Sequence, residues 1–411
     1  MKSKGSGLII FILGMLTALG PFSIDMYLPG FPAIAKDLHT TVAEVSLSLS
    51  SFFIGISAGQ LLYGPLLDRY GRKNPLYFGL ALYVLASLAC VLATSIDALV
   101  YLRFVQAIGS CAAGVASMAM VRDLFPVEES AKVFSKLILI LGVSPMVAPT
   151  VGGYVTAAFG WQSVFIILTI ISALILALVF FKLPESSKPD PSFSLKPKPI
   201  IMNFLSVLQE RQFITYALTG AIAFAGLFAY ISGSPMVFME IYHVDNRVYG
   251  WIFAFLSIGF IGASQINNLI LKSFRSDQVV LTAMLVQSSV GLLFFLGTVT
   301  GWFGLPGTIA MLFMFLCCMG FSFPNASALS LAPFSKNAGS ASALMGALQM
   351  AIGSLASVAI SLLNDKTAVP MTAVMAASAL LALMVLLSGR KKISKENYKA
   401  EPQQNEPVMV H

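Results

Sequence analysis

The sequence predicts an all-α membrane protein of twelve spanning helices arranged as two six-helix bundles. Three observations lead there. Apolar residues make up 57% of the 411 and charged residues only 10%, against the ~25% charge of an ordinary soluble domain. Mean hydropathy is +0.85. Apolar stretches long enough to cross a bilayer, which takes ~20 residues, occur twelve times. A long polar gap divides them into six and six, the arrangement of a transporter built from two related halves.

The expected spans are 8–28, 45–67, 75–93, 98–121, 137–158 and 163–181, then 213–236, 249–271, 278–298, 307–331, 339–363 and 369–388. Backbone polar groups in lipid must be satisfied within the segment, and the runs are too long for barrel strands, so each is a helix. The gap 183–211 is rich in Pro, Ser and Lys and reads as a cytoplasmic linker. It separates an N-terminal bundle (1–182) from a C-terminal bundle (212–388). Residues 389–411 read as a disordered cytoplasmic tail whose basic cluster can meet anionic lipid headgroups. The first apolar run exceeds the 7–15 residues of a signal-peptide core, so it is expected to be retained.

Of the 25 Lys and Arg residues, only Lys36, Arg247 and Lys366 fall in the gaps on the face opposite the termini, and Arg103 alone lies within a span. The other twenty-one lie on the face of the termini. The positive-inside rule then puts both termini in the cytoplasm. The net charge of +7 is thereby explained by topology, and no nucleic-acid surface is expected. Cys90, Cys111, Cys317 and Cys318 all lie in apolar runs and read as reduced packing residues. No histidine falls within a span, which leaves no intramembrane imidazole for a metal or a base; neither metal nor cofactor is expected.

Ionisable residues at membrane depth are expensive and mark function by default. Two stand out: Asp25 near the expected outer end of span one, and Arg103 near that of span four. At ~1.5 Å per residue both would lie roughly 5–8 Å below the boundary, a common level at which they can pair. Either they form a structural ion pair, or Asp25 is a titratable carboxylate whose proton competes with substrate while Arg103 stabilises its ionised form. Gln106, one helical turn after Arg103, shares its face. The second half offers amides instead, among them Asn325 and Gln349, which either join helices or bond a ligand. Tyr27, Phe224 and Phe228, with Asn325 and Gln349, are candidate cavity-lining residues, and Tyr230 and Trp251 are further aromatics that could line a greasy pocket.

Between spans two and three the chain reads Gly64-Pro65-Leu66-Leu67-Asp68-Arg69-Tyr70-Gly71-Arg72-Lys73. The glycines permit a tight turn, Asp68 can face the N-terminal dipole of span three, and Arg72 can reach Asp123 at the end of span four. Such a cluster would latch one conformation. This loop resembles the signature loop of the major facilitator superfamily, and the resemblance extends over the twelve spans and the central linker. Span four carries Arg103-Phe104-Val105-Gln106-Ala107-Ile108-Gly109, similar to the Arg-x-x-Gln-Gly-x-Gly motif of drug:proton antiporters, with Ala107 in place of a glycine. In that resemblance the arginine is implicated in proton coupling. Span five carries Gly142-Val143-Ser144-Pro145-Met146-Val147-Ala148-Pro149-Thr150-Val151-Gly152-Gly153, similar to the antiporter motif, with Ala148 where the family has glycine. Its prolines remove backbone donors and its glycines admit close helix approach. Ser23-Ile24-Asp25-Met26-Tyr27-Leu28-Pro29 resembles span one of the Bcr/CflA group of bicyclomycin-resistance proteins, close to chloramphenicol and florfenicol exporters.

The resemblance implies multidrug efflux by alternating-access antiport in the bacterial inner membrane, with small-molecule drug and protons as partners and a monomeric chain. An uptake symporter or a metabolite exporter on the same fold remains the alternative. An enzyme is not expected. An ATP-driven pump is excluded, since no Gly-x-x-x-x-Gly-Lys-Ser/Thr loop is present.

Overall fold

Each apolar run becomes a helix because lipid leaves its backbone no other partner. The computed structural model describes residues 4–189, 197–334, 338–363, 365–391 and 393. The first half contains α1 (Lys4–Asp25), α2 (Phe31–Asp37), α3 (Val42–Tyr70), α4 (Lys73–Val91), α5 (Ile96–Leu124), α6 (Val127–Phe159) and α7 (Gln162–Lys182). After α8 (Pro197–Leu208) come α9 (Arg211–Pro235), α10 (Asn246–Ile270), α11 (Ser276–Val299), α12 (Leu305–Leu331), α13 (Ala338–Leu362) and α14 (Val369–Arg390). Among the described residues twelve helical segments are long and apolar enough to cross a membrane, and large side chains such as Phe78, Leu85, Leu174 and Phe181 face outward, as a lipid-facing surface requires. Polar gap residues cap the spans. Thr41 accepts from the Glu44 N–H while the Glu44 carboxylate accepts from the Thr41 N–H, and Ser95 and Asp245 cap α5 and α10.

Span one differs from expectation. It runs from Gly7 to Asp37, in three pieces: α1 ends at Asp25, a 3₁₀ turn occupies Leu28–Gly30, and α2 follows. Pro29 and Pro32 each lie in the first two positions of a new helical segment, where a missing N–H is harmless, so they restart the helix and do not end the span. Span seven behaves alike, with α9 ending at Pro235 and a π-helical turn continuing over Met236–Ile241. Both halves thus open with a span interrupted at a proline. The linker also differs, since α8 forms within it. Its Val207 is buried against Phe213, Ala217, Ala341 and Leu344 of the second half. Of the expected tail, residues 394–411 lie outside the described residues.

The halves meet chiefly along α3 against α13 and α6 against α10. We call the face where α1 begins and α14 ends the terminal face, and its opposite the far face. Near the far face one apolar core draws on both halves, joining Tyr27, Phe31 and Phe53 to Phe228, Tyr230 and Tyr249. Near the terminal face the cores are separate: one belongs to the first half and two to the second. Hydrogen bonds crossing between the halves follow the same division. Among the described residues they include Ser46 to the Ser232 carbonyl, Ser50 with Ser357, Ser57 to the Ala347 carbonyl, Thr150 to the Gly250 carbonyl, and Trp251 to Tyr154. All lie at mid-depth or toward the far face. The protein is therefore sealed at the far face, with the bundles packed separately at the terminal face.

The Ser50 and Ser357 hydroxyls are 2.6 Å apart, so a Ser50→Cys/Ser357→Cys pair should oxidise to a disulfide that holds the far face shut. We expect oxidation to tie the two halves together across this seam and reduction to release them; non-reducing gel mobility and mass spectrometry of the bridged peptides check it.

Candidate functional site

The break in span one creates the polar centre of the first half. A helix leaves its last four carbonyls without intrahelical partners, and α1 ends at Asp25, about 18 Å of helix short of the end of its span at Asp37. Arg103, fully buried on α5, takes one of these carbonyls: its Nη2 donates to Ser23 O at 2.9 Å. Its Nη1 donates to Gln106 Oε1 at 2.5 Å, and Gln106 Nε2 donates to Ser87 on α4 at 2.7 Å. The Ser23 hydroxyl meets Tyr83 at 2.6 Å. The guanidinium lies 4.2 Å from the Phe52 ring centroid, 4.7 Å from Tyr27 and 5.7 Å from Phe165, a cation held by aromatic faces. Its Nε has no hydrogen-bond partner in the described structure.

The expected Asp25–Arg103 pair is not formed. The Arg103 side chain lies at the level of Asp25, between Ser23 O and the Tyr27 ring, but its bonded nitrogens are turned to Ser23 O and Gln106 Oε1. The Asp25 side chain is 4% exposed and has no ion-pair or hydrogen-bond partner among the described residues. It lies within electrostatic range of Tyr230 on α9 and Tyr249 on α10, both in the other half. Gln106 is where its spacing placed it, on the face of Arg103 and bonded to it.

The proline- and glycine-bearing α6 is continuous through Pro145 and Pro149. Gly152 packs against the backbone of Met26, next to Asp25, with no room for a Cβ; Gly153 packs likewise against the Asn246 backbone at the start of α10. A Cβ added at Gly142 would lie 3.7 Å from Ile261 across the interface, in ordinary contact. One helix therefore touches both the break in span one and the opposite half.

At the terminal face Arg72 joins Asp68 and Asp123, each at 2.8 Å. Burial alone would lower the Arg72 pKa, but the hydrogen bonds and charges of Asp123 and Asp68 outweigh it and raise it above its ordinary value. Asp68 was expected to face the N-terminus of α4; Glu185, after α7, does so instead. Its carboxylate accepts from the N–H groups of Arg72 (2.9 Å) and Lys73 (3.1 Å). Sequence reading missed Glu185 because only the fold brings it beside a loop more than a hundred positions away; the signal available was an acid directly after a span. Gly71 adopts φ +80°, a region open to glycine, and lies against Glu185. Arg69 lies over the Tyr70 ring, and Gly64 borders open space. The second half has an analogous clasp, also missed: Asp277 at the start of α11 pairs with Arg275 and with Arg390 at the end of α14, both at 3.1 Å.

Not all of the candidate cavity residues are free to line one. Tyr27 is buried in the first bundle, bonded to Ser48 at 2.8 Å. Asn325 is committed to Asn267 Oδ1 at 2.7 Å and the Phe321 carbonyl at 2.8 Å, so it joins α12 to α10. Phe228 packs edge-on against Phe53 of the first half, centroids 4.4 Å apart. Phe224 stacks on Phe323 at 4.4 Å. Gln349, 7% exposed on α13, has no hydrogen-bond partner among the described residues and is the one amide of the set left uncommitted.

Comparison with known proteins agrees with this architecture. Residues 11–358 match the family model described as Major Facilitator Superfamily. The chain belongs to the major facilitator superfamily. It is 35% identical over 396 residues to the MFS-type transporter YdgK of Bacillus subtilis (strain 168), covering 95% of this chain and 97% of that protein. It is 31% identical to the bicyclomycin resistance protein homolog of Haemophilus influenzae, covering 93% and 96% respectively. It is also 31% identical to the multidrug resistance protein MdtL of Escherichia coli O139:H28, covering 83% and 85%. Among solved structures a D-xylose-proton symporter superposes with TM-score 0.75 at 14% identity, covering 93% of this chain and 97% of the other. A bacterial homolog of the human lysosomal transporter Spinster, inward-facing and unoccupied, gives 0.71 at 12%, covering 97% and 98%.

Two tests address the polar elements of this major facilitator protein. Arg103→Lys keeps the charge but loses the planar fork that reaches Ser23 and Gln106 together; it should cost about 2 kcal/mol, read as a lower Tm in detergent. Glu185→Ala should cost about 1 kcal/mol through the lost helix cap, and Gly71→Ala about 1–3 kcal/mol through backbone strain, both measured the same way.

Proposed function

We propose that this protein exports antibiotics or similar small amphiphilic compounds from the bacterial cytoplasm, across the inner membrane, in exchange for protons. Relatives named for bicyclomycin resistance and multidrug resistance cover nearly the whole chain and support the substrate class. The positive-inside charge distribution supports cytoplasmic termini, so the sealed far face is the outer one and this conformation is inward-facing. Residues 1–182 and 212–388 act as the two rocking units, joined by 183–211, and a single chain carries out the cycle.

The observation that carries proton coupling is Asp25: a buried carboxyl without a partner among the described residues, at the break of a discontinuous span, facing the opposite half. Discontinuous helices near mid-depth are where transporters of this architecture bind substrate and coupling ions. In the cycle, Asp25 takes a proton from outside as drug leaves and gives it up to the cytoplasm after the halves switch. Arg103 holds the broken end of α1 in place through Ser23 and Gln106. The Asp68–Arg72–Asp123 latch, braced by Glu185, sets the terminal-face end of the first bundle, and Gly152 and Gly153 of α6 carry the motion of span one to α10.

Proteoliposomes holding a pH gradient test this, with internal pH followed as bicyclomycin, chloramphenicol or a lipophilic cation is added. Wild-type protein should dissipate the gradient with at least one of these, protons moving opposite to drug, and Asp25→Asn should fall to the level of empty liposomes. Normal coupling in Asp25→Asn would remove Asp25 from the proton path.

A further inference from the structure

Tyr230 is the other side of the Asp25 problem. Its side chain is 2% exposed, and its hydroxyl has no hydrogen-bond partner in the described structure. A buried hydroxyl left unbonded costs free energy, and such a group in a native structure calls for a role. The ring is fixed by stacking on Phe253, centroids 5.2 Å apart. The polar tip is thus aimed by packing and not by a bond of its own. Asp25, across the junction, is another buried polar group without a partner among the described residues, and the two lie within electrostatic range.

Their positions are related. Each lies on the first helix of its half, just before the proline at which that helix changes character: Asp25 four residues before Pro29, Tyr230 five before Pro235. The two interrupted spans meet here, with α9 and α10 both touching the Leu28–Gly30 turn. Other groups around Asp25 are committed or inert. Tyr249 also faces it, but its hydroxyl is bonded to Ser234 at 2.8 Å. Tyr27 is bonded to Ser48, Arg103 is turned to Ser23 and Gln106, and α6 approaches through Gly152, which carries no charge.

We propose that Tyr230 is a positioning residue for proton coupling: its hydroxyl donates to the Asp25 carboxylate as the halves rearrange, so that the charge state of Asp25 in one half is read by a side chain of the other. This rests on the reading of Asp25 as the proton site. It assigns the second half, which has no acid facing this junction among the described residues, its own part in coupling. Two groups that lack partners while the far face is sealed satisfy one another when the spacing changes.

Nitroxide labels on cysteines placed at Thr94 and Thr300, exposed on the far face of opposite halves, report opening by electron–electron distance in lipid nanodiscs from pH 5 to pH 9. No drug is needed. Wild type should show a pH-dependent open fraction, and Asp25→Asn should flatten it. Tyr230→Phe keeps the ring and strands no partner, so it should fold. It should move the transition midpoint to higher pH by about half a unit, a threefold change in apparent proton affinity, because a phenyl ring cannot donate to the carboxylate. Tyr249→Phe should leave the midpoint near that of wild type. A Tyr230→Phe midpoint equal to wild type, with Asp25→Asn flat, would overturn the role of Tyr230 while leaving Asp25 as the proton site. A shift in Tyr249→Phe alone would also overturn it, in favour of the other tyrosine. Undiminished pH dependence in Asp25→Asn would overturn the Asp25 reading itself, and this inference with it.

Discussion

A helix that stops inside a membrane leaves carbonyl groups that lipid cannot satisfy, and span one stops there. Much of the first half can be understood as the answer to that constraint. Arg103 donates to Ser23 O at the broken end, and a cation at a helix C-terminus also complements the dipole. The aromatic faces of Phe52, Tyr27 and Phe165 let the guanidinium stay buried without an acid beside it. Gln106, Ser87, Ser23 and Tyr83 extend the network to α4. Because Arg103 is occupied in this way, Asp25 is left uncommitted at the junction between the halves.

The same break explains how the halves meet. The turn at Leu28–Gly30 brings Met26 against Gly152, and α6 then crosses to α10 through Gly153 and Gly250. The shared apolar core and these cross-half hydrogen bonds lie at mid-depth or toward the far face, while the terminal-face ends are braced within each half by charge. Arg72, Asp68, Asp123 and Glu185 do this for the first half, and Asp277 with Arg275 and Arg390 for the second. Each bundle is therefore tied to itself at one face and to its neighbour at the other.

Sequence alone revealed what depends on local composition. The twelve spans are set by hydropathy, the Arg72 cluster by a compact loop, and the Arg103–Gln106 contact by helical spacing. It missed what depends on three-dimensional continuation. Pro29 reads as the end of a span, yet it restarts a helix, and Arg103 bonds the broken end through Ser23 O in place of the expected ion pair. Glu185 is an ordinary acid after a span until the fold brings it to the N-terminus of α4. The linker reads as polar from its Pro, Ser and Lys residues, but Phe204, Val207 and Leu208 have the spacing of a helix face and pack on the second half. Asn325 and Gln349 are alike in sequence, and only the fold separates the amide that joins two helices from the one left uncommitted.

The seam formed by Ser46, Ser50, Ser232 and Ser357 has a consequence for reversibility. Leucines in those places would bury apolar area that must be rewetted each time the halves part. Serines trade one hydrogen-bond partner for another, and water serves nearly as well as a second serine. A seam of this kind excludes solvent when shut but gives little thermodynamic preference for staying shut. The two conformations can then lie close in free energy, near enough for a single proton to decide between them.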